Sequence, residues 1–430
     1  MPSKKRGVTK KSKDSQVSFL GFSLNIPDRK TLRNHILLLI GLSLLTKLLI
    51  LWATPSVFHS FIDMFDINYY FQFAQKIFQG KIPYADFTVD YPQLSLVSIL
   101  IPFIVALLFN NAMVYFSSHQ VLMTLFDIGT TVLVYLIGLK LYGERRAYFC
   151  GILYATAFSA AYFVLTKYDS YPTFFLLLSV ALFIYGRETG AYLAGAWGFL
   201  VKWFPVLALP YFLILDLKKG VERKVVLQNL GLAILLVLVV TVPFLVMSPE
   251  GFLRTYTLNT QFNTLTHGFI YYLDFITKTL TGVTVFSGIS LLLVALAELG
   301  LLYWYYRRPG TDNLTLCVFI LFAVSAFILM NKIASPQYLQ WIAPLAALFL
   351  AGSALEALLF YIAQFWWFLE FPVLYNVIYN NIVGYGPAEA GFPIITFLFF
   401  TVKFALIFTI LWVVAKKLPA GSGTKAPKSG

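Results

Sequence analysis

The sequence predicts an all-α polytopic membrane protein, and three observations lead to that fold class. Hydrophobic residues make up 59% of the 430 residues and charged residues only 12%, whereas soluble domains have about 45–50% and 25%. Long apolar runs recur along the chain, and the segments between them alternate between basic and acidic. These features exclude a soluble enzyme, a disordered chain and a nucleic-acid-binding protein, so the net charge of +13 needs a membrane explanation first.

The apolar runs are candidate transmembrane segments, since a helix needs about 20 apolar residues to cross a bilayer. They lie at residues 34–53, 92–109, 119–142, 147–166, 171–186, 191–216, 225–247, 281–306, 314–331, 341–371 and 393–415. The runs 191–216 and 341–371 are too long for one helix, and Pro205 and Gly352 interrupt them. We expect two short helices in each, hence a single membrane domain, a bundle of about 11–13 transmembrane helices over residues 34–415.

The distribution of Lys and Arg gives the orientation in the membrane. Residues 1–33 hold nine of the 32, and the alternate loops 143–147, 186–190, 217–224 and 307–313, together with Lys140 and the tail, hold 14 of the other 23. We therefore expect a basic cytoplasmic segment over residues 1–33, a flexible cytoplasmic tail over residues 416–430, and an integral protein of a prokaryotic plasma membrane. The short basic loops offer no phosphate-binding glycine loop for a nucleotide.

Residues 92–109 conflict with this orientation if they cross the membrane fully, because every later loop would then be inverted. We interpret them as a re-entrant or surface-lying helix within one long outer loop, residues 54–118. Backbone of this kind is tolerated at membrane depth only when it is packed in protein or lines a cavity. The loop is therefore expected to cover a site, although full crossing remains open.

The acidic residues indicate that this site is on the outer face. Cys150 and Cys317 lie in apolar runs and the four histidines are scattered, so neither type suggests a metal site. The loops assigned to the outside carry nine acids: Asp63, Asp66, Asp86, Asp90, Asp169, Glu250, Asp274, Glu370 and Glu389. Nucleotides are not expected there, so a transferred group would have to arrive already activated on a lipid phosphate.

The segment after Asp66 has a helical pattern. Tyr70, Phe73, Ile77 and Phe78 share one stripe and polar residues share the other, which is typical of an amphipathic interfacial helix. Asp66 stands at its beginning, where a carboxylate can cap the exposed amide groups. The alternative is that Asp66 acts as a general base above the bilayer edge.

Four pieces of the chain, in order, resemble the GT-C glycosyltransferases. They are Asp66 with Tyr70, Gly80, Tyr84 and Asp90-Tyr91-Pro92, then Tyr168-Asp169, then Lys202-Trp203-Phe204-Pro205, and last Lys332 with Ser335-Pro336-Gln337-Tyr338 and Trp341. The nearest groups are glycosyltransferase family 87 and the mannosyltransferases of GPI-anchor and mycobacterial phosphatidylinositol mannoside synthesis. Together the pieces span residues 60–345.

The resemblance implies transfer of a sugar, for which it favours mannose, from a polyprenyl-phosphate donor to a hydroxyl of a glycolipid or glycan, with inversion. It gives Asp66 the role of general base. The substrate-binding residues that we expect are Asn68, Tyr70, Asp90, Tyr91, Asp169, Lys202, Arg254, Lys332, Gln337 and Tyr338. We expect no cofactor and no metal ligand, because Asn68 stands where the GPI mannosyltransferases carry a second Asp.

Simpler structural roles remain open for most of these side chains. Asp90 and Asp169 could cap the helices that follow them, and Asp169 could instead pair with Lys167. Lys202 could extend to the membrane interface, and Arg254 could be an ordinary loop charge. Lys332, Gln337 and Tyr338 could cap the next helix.

Two other classes of function also remain open. A transporter or lipid flippase tends to show internal repeats and ionisable sites at the membrane midplane, whereas this chain shows no convincing repeat. A polymerase or ligase of surface glycans would also use lipid-linked donors. The sequence specifies neither the acceptor nor the oligomeric state.

Overall fold

The computed structural model describes residues 16–19, 22–25, 28–261, 264–265, 267–375 and 394–419. Most of the basic segment 1–33, most of the tail 416–430 and Glu389 lie outside the described residues. The predicted division into these two segments and one membrane domain stays a prediction.

The described chain is almost entirely helical. In chain order its helices are α1 (Arg29–Ser56), α2 (Phe65–Phe78), α3 (Ser95–Leu108), α4 (Met113–Tyr142), α5 (Glu144–Ala155), α6 (Phe158–Val164), α7 (Ser170–Ile184), α8 (Glu188–Val201), α9 (Leu209–Lys218), α10 (Arg223–Met247), α11 (Pro249–Gln261), α12 (Phe269–Thr281), α13 (Phe286–Arg307), α14 (Asn313–Met330), α15 (Leu339–Leu350), α16 (Ala354–Phe368) and α17 (Ile394–Ala415). Strands β1 (Gln16–Phe19) and β2 (Phe22–Asn25) form an antiparallel pair that the sequence pattern did not predict.

Seven of the described helices are long and apolar enough to cross a membrane, or eight if α5 and α6, bent by 56°, form one span. This confirms the all-α polytopic class. The number is lower than the predicted 11–13 because other apolar runs form shorter helices, such as α3 and α7. Helices α10 and α13 expose most of their apolar side chains, whereas α14 and α15 are buried at the centre.

The two predicted breaks in long apolar runs are confirmed. Helix α8 ends at Val201, and a 3₁₀ turn at Phe204–Ala208 leads into α9; Pro205 contributes no N–H to a continuing helix. Helix α15 ends at Leu350, and α16 begins at Ala354, where the Ser353 hydroxyl accepts a hydrogen bond from the Glu356 N–H (3.2 Å).

Helix α3 supplies the short helix that the re-entrant interpretation requires. Its 14 residues extend about 21 Å, less than the roughly 30 Å of a bilayer core. It begins at Ser95, three residues later than the sequence suggested, and the Ser95 hydroxyl donates to the Pro92 carbonyl (2.6 Å). Phe103 packs α3 against Phe71 of α2, with ring centroids 5.5 Å apart.

Helix α2 has a slightly different buried face from the one predicted. Tyr70 and Phe73 are buried as expected, together with Ile67 and Ala74, but Phe78 is 50% exposed. One residue advances a helix by about 100°, so Phe78 lies beyond the edge of the stripe. The buried face of α2 packs on protein.

The loops assigned to the outside meet at one end of the bundle, called here the site end. The Leu94 N–H donates to the Leu200 carbonyl and the Leu265 N–H donates to the Lys332 carbonyl, both at 2.9 Å. At the opposite end, Lys218 donates to the carbonyl of Arg308 (2.8 Å). Contacts are therefore made within each set of loops, while the face of the membrane to which each set belongs stays a prediction.

Candidate active site

Asp66 lies in the first turn of α2 with its side chain 20% exposed. It does not cap the helix, because the N-cap position is Met64 and the Asp63 carboxylate accepts the Phe65 N–H (3.0 Å). Instead, Asp66 Oδ2 forms an ion pair with the Lys167 ammonium at 2.9 Å. The capping alternative for Asp66 is therefore wrong.

Lys167 joins two carboxylates that lie close in sequence. Its ammonium is 2.7 Å from Asp63 Oδ2 as well as 2.9 Å from Asp66. Burial lowers the pKa of Lys167, but the charges of Asp66 and Asp63 outweigh burial and leave that pKa above its ordinary value. The proposed pairing of Lys167 with Asp169 is wrong, since Asp169 has other partners.

Asp169 is buried and binds residues from two distant segments. Its Oδ1 accepts hydrogen bonds from the Lys202 ammonium (2.6 Å) and from the Trp341 indole N–H (2.7 Å). Asp169 precedes α7 but forms no side-chain cap there, so that alternative is also wrong. Lys202 does not extend to the interface, because its side chain is only 15% exposed and is paired.

Aromatic rings surround the Lys202 ammonium. It lies 4.9 Å from the Tyr168 ring centroid and 5.1 Å from each of the Tyr338 and Trp341 rings. Trp341 is stacked between Tyr338 (3.8 Å) and Phe204 (4.0 Å). Ring faces attract cations, so these contacts and Asp169 together fix the position of the Lys202 charge.

Three tyrosines connect the Asp66 and Asp169 pairs. Tyr70 contacts Tyr91 and Tyr168, with ring centroids 5.8 and 5.6 Å apart, and Tyr91 lies 5.0 Å from Tyr168. Burial raises the pKa of Tyr70, and the charges of Asp66 and Asp169 raise it further. Both carboxylates therefore belong to one electrostatic site.

Asp90 and Arg254 form one edge of this site. The Tyr69 hydroxyl donates to Asp90 (2.9 Å). Burial raises the pKa of Asp90, while the Tyr69 hydrogen bond and the Arg254 charge oppose that rise. Arg254 is exposed on α11, a helix where the sequence suggested only a loop.

Helix α11 docks closely on the loop that carries Asp90. The Thr255 hydroxyl donates to the Val89 carbonyl (2.7 Å). A Cβ on Gly251 would overlap the Tyr84 carbonyl oxygen, so only glycine permits this approach. This packing sets the position of Arg254 near Asp90.

The other predicted residues are less closely joined to the site. Asn68 is exposed on α2. Lys332 lies at the start of the turn before α15, where its carbonyl accepts the Leu265 N–H. The Gln337 amide oxygen accepts from the Ser335 hydroxyl within that turn, whereas Tyr338 stacks on Trp341 as described.

Five residues of the site were not predicted from the sequence to bind substrate or to act in catalysis: Asp63, Lys167, Tyr168, Gln340 and Trp341. Asp63 lies three positions before Asp66, and each of the other four is in a motif or next to a motif residue, which is the signal that could have identified them. The Ser170 hydroxyl donates to Gln340 Oε1 (3.0 Å). Among the described residues, Asp169 Oδ2, the Tyr168 hydroxyl and Gln340 Nε2 are buried without a hydrogen-bond partner, so they can bind a polar ligand.

The described part of the chain contains no group of three His, Cys, Asp or Glu side chains that could hold a metal ion. In addition, the Lys167 ammonium lies within 2.9 Å of both Asp63 and Asp66. A cation is therefore already supplied where a divalent ion would bridge these carboxylates.

Comparison with known proteins provides a structural relative. No family model and no curated protein matches the chain. Among solved structures, it is similar to apo ArnT from Cupriavidus metallidurans, with a TM-score of 0.50, 13% identity, and coverage of 89% of this chain and 74% of that one. At this identity the similarity shows the fold alone, and the chain therefore has the GT-C-like fold that its sequence predicts.

Proposed function

We propose that this protein is a membrane glycosyltransferase that moves a sugar from a polyprenyl-phosphate donor to an acceptor hydroxyl. The observation that carries the proposal is the convergence, at one end of a GT-C-like bundle, of a partly exposed Asp66 with the buried Asp169–Lys202–Trp341 network. A carboxylate beside rings and unpartnered polar atoms suits a sugar, which offers both hydroxyl groups and apolar ring faces.

The reaction needs one base and one site of positive charge. The acceptor oxygen would bond to the anomeric carbon from the face opposite the phosphate, which inverts the configuration. Asp66 would take the acceptor proton. The bond between the anomeric carbon and the phosphate oxygen would break, and its electron pair would leave with the phosphate.

The growing charge on the phosphate would be met by fixed cations. Lys202 is the best candidate because its position is set by Asp169 and three rings. Arg254 and Lys332 would contribute from the rim, with Tyr338 as a hydroxyl donor. Asp90 and Tyr91 would bind substrate hydroxyls. Asn68 and Gln337 would bind parts of the substrate that lie farther from the reacting carbon.

The sequence resemblance to glycosyltransferase family 87 and to the mannosyltransferases of GPI-anchor and phosphatidylinositol mannoside synthesis supports mannose as the sugar and a glycolipid or glycan as the acceptor. The charge pattern supports an outer-face site and cytoplasmic termini. The donor would reach this site from the bilayer, since no described loop resembles a nucleotide-binding domain.

The test is sugar transfer by purified protein in nanodiscs, supplied with polyprenyl-phosphate mannose and a crude lipid extract as acceptor. Asp66→Asn is expected to lower the release of polyprenyl phosphate by about 10²–10⁴-fold. Asp86→Asn is the matched control, because the Asp86 carboxylate accepts the Ile82 N–H (2.7 Å) in an exposed turn. A chelator should leave the rate unchanged.

Two results would contradict the proposal. Near-normal transfer by Asp66→Asn would remove Asp66 as the base. Folded wild-type protein that releases no polyprenyl phosphate from this donor or from other polyprenyl-phosphate sugars would favour a transporter.

A further inference from the structure

We propose that Lys167 is a positioning residue for Asp66. Asp63 shares the positive charge of Lys167 and so limits the attraction between Lys167 and Asp66. The ammonium holds one oxygen of the Asp66 carboxylate, so that the other is presented to the acceptor hydroxyl. This inference rests on the proposed function, in which Asp66 is the base.

The geometry fixes Lys167 independently of Asp66. Asp63 Oδ2 lies 2.7 Å from the ammonium, while Asp63 Oδ1 accepts the Phe65 N–H at the start of α2. The Asp63 N–H in turn donates to the Tyr162 hydroxyl (3.0 Å). Asp63 therefore ties Lys167 to the first turn of the helix that carries Asp66.

The group formed by Asp63, Asp66 and Lys167 contains more negative than positive charge. Two carboxylates share one ammonium, so the trio carries a net negative charge. If Lys167 paired with Asp66 alone, the ammonium would hold the carboxylate strongly in its charged form and weaken it as a base. Asp63 divides the attraction between two partners.

The other groups that face Asp66 are neutral tyrosines. They come from its own helix, from the loops before α3 and α7 and from the turn before α15: Tyr69, Tyr70, Tyr91, Tyr168 and Tyr338. Burial is the main reason that the pKa of each lies above its ordinary value. They stay neutral near pH 7. Lys167 pairs directly with Asp66 and shares its charge with Asp63, and the Asp169–Lys202 pair lies beyond the tyrosines.

Two variants should therefore move the pH profile of transfer in opposite directions. Lys167→Met removes the cation and leaves Asp63 beside Asp66, so the acid limb of kcat/KM should move up by about one pH unit. Asp63→Asn removes the like charge and gives Lys167 wholly to Asp66, so the limb should move down by a similar amount. Lys167→Arg should keep the wild-type limb.

A second measurement detects the influence of Lys167 and Asp63 on Asp66 without depending on sugar transfer. Dicyclohexylcarbodiimide reacts with protonated carboxyl groups, so the pH midpoint of Asp66 labelling, followed by mass spectrometry, should shift in the same two directions. Asp66→Asn identifies the labelled peptide. Thermal unfolding shows that each variant is folded, and if Lys167→Met does not fold, the downward shift in Asp63→Asn still decides.

The outcomes separate this inference from the proposed function. Wild type that transfers sugar, with variants that lose activity at every pH but keep the acid limb and the labelling midpoint, would overturn the role of Lys167. The wild type could instead transfer no sugar while the labelling midpoint of Asp66 still moves up in Lys167→Met and down in Asp63→Asn. That result would keep Lys167 as the positioning residue and overturn Asp66 as the base of a transfer reaction.

Discussion

Buried lysine–carboxylate pairs occur both at the site end and inside the helical bundle, and the two regions differ in what remains unbound. Inside the bundle, Asp127 Oδ2 accepts from Lys47 (2.5 Å) and Ser43 (3.4 Å), and its Oδ1 accepts from Tyr154 (2.5 Å). At the site end, Asp169 Oδ2 has no partner among the described residues.

The difference indicates which pair serves stability and which serves a ligand. Asp127 links α1, α4 and α5 and leaves no oxygen for another molecule. Asp169 leaves one oxygen, and the neighbouring Asp66 is partly exposed. A buried charge that the protein binds completely is structural, whereas one with an unused acceptor beside exposed polar groups is a candidate for binding substrate.

Asp169→Asn should have the largest effect and change both activity and stability. Lys202 would lose its counter-charge inside a ring of aromatic side chains, at a cost of about 3 kcal/mol. Transfer should fall by about 10²-fold or more because the cation is no longer fixed. Thermal unfolding and donor turnover measure the two effects. A variant that loses neither would remove the distinction between the regions.

Lys47→Met should change stability but not activity. Removing one partner leaves Asp127 buried and unpaired, which costs about 3–5 kcal/mol, while turnover per folded molecule should stay within about twofold. The double variant Lys47→Met/Asp127→Leu removes both charges and should recover most of the stability. Loss of turnover in protein that is still folded would show that this pair also serves the reaction.

Gly251→Ala should have a smaller effect, confined to the site end. The added methyl group would displace α11 from the Tyr84 carbonyl and move Arg254 away from Asp90. We expect kcat/KM to fall about tenfold, equivalent to about 1.4 kcal/mol. Gly231→Ala on α10 is the control, because a Cβ there meets no atom within 4 Å. Equal effects of the two substitutions would contradict the packing role of Gly251.

The sequence by itself determined the helical membrane class, the broken helices after Val201 and Leu350, and the motif residues Asp66, Asp169 and Lys202. Apolar runs, prolines and the order of motifs along the chain are properties of the sequence itself, so they can be identified without a structure. The buried face of α2 was only partly predicted, because a helical stripe has no sharp edge at Phe78.

Only the tertiary structure decided which charges pair with which. Lys167 lies two positions before Asp169, yet it binds Asp63, 104 residues away. Asp169 binds Trp341, 172 residues away. Side chains two positions apart lie on different sides of a turn, and the choice of a buried partner depends on distances between segments that meet only when the chain is packed. Composition and spacing therefore indicate which residues are chemically important, while packing determines the partners through which they act.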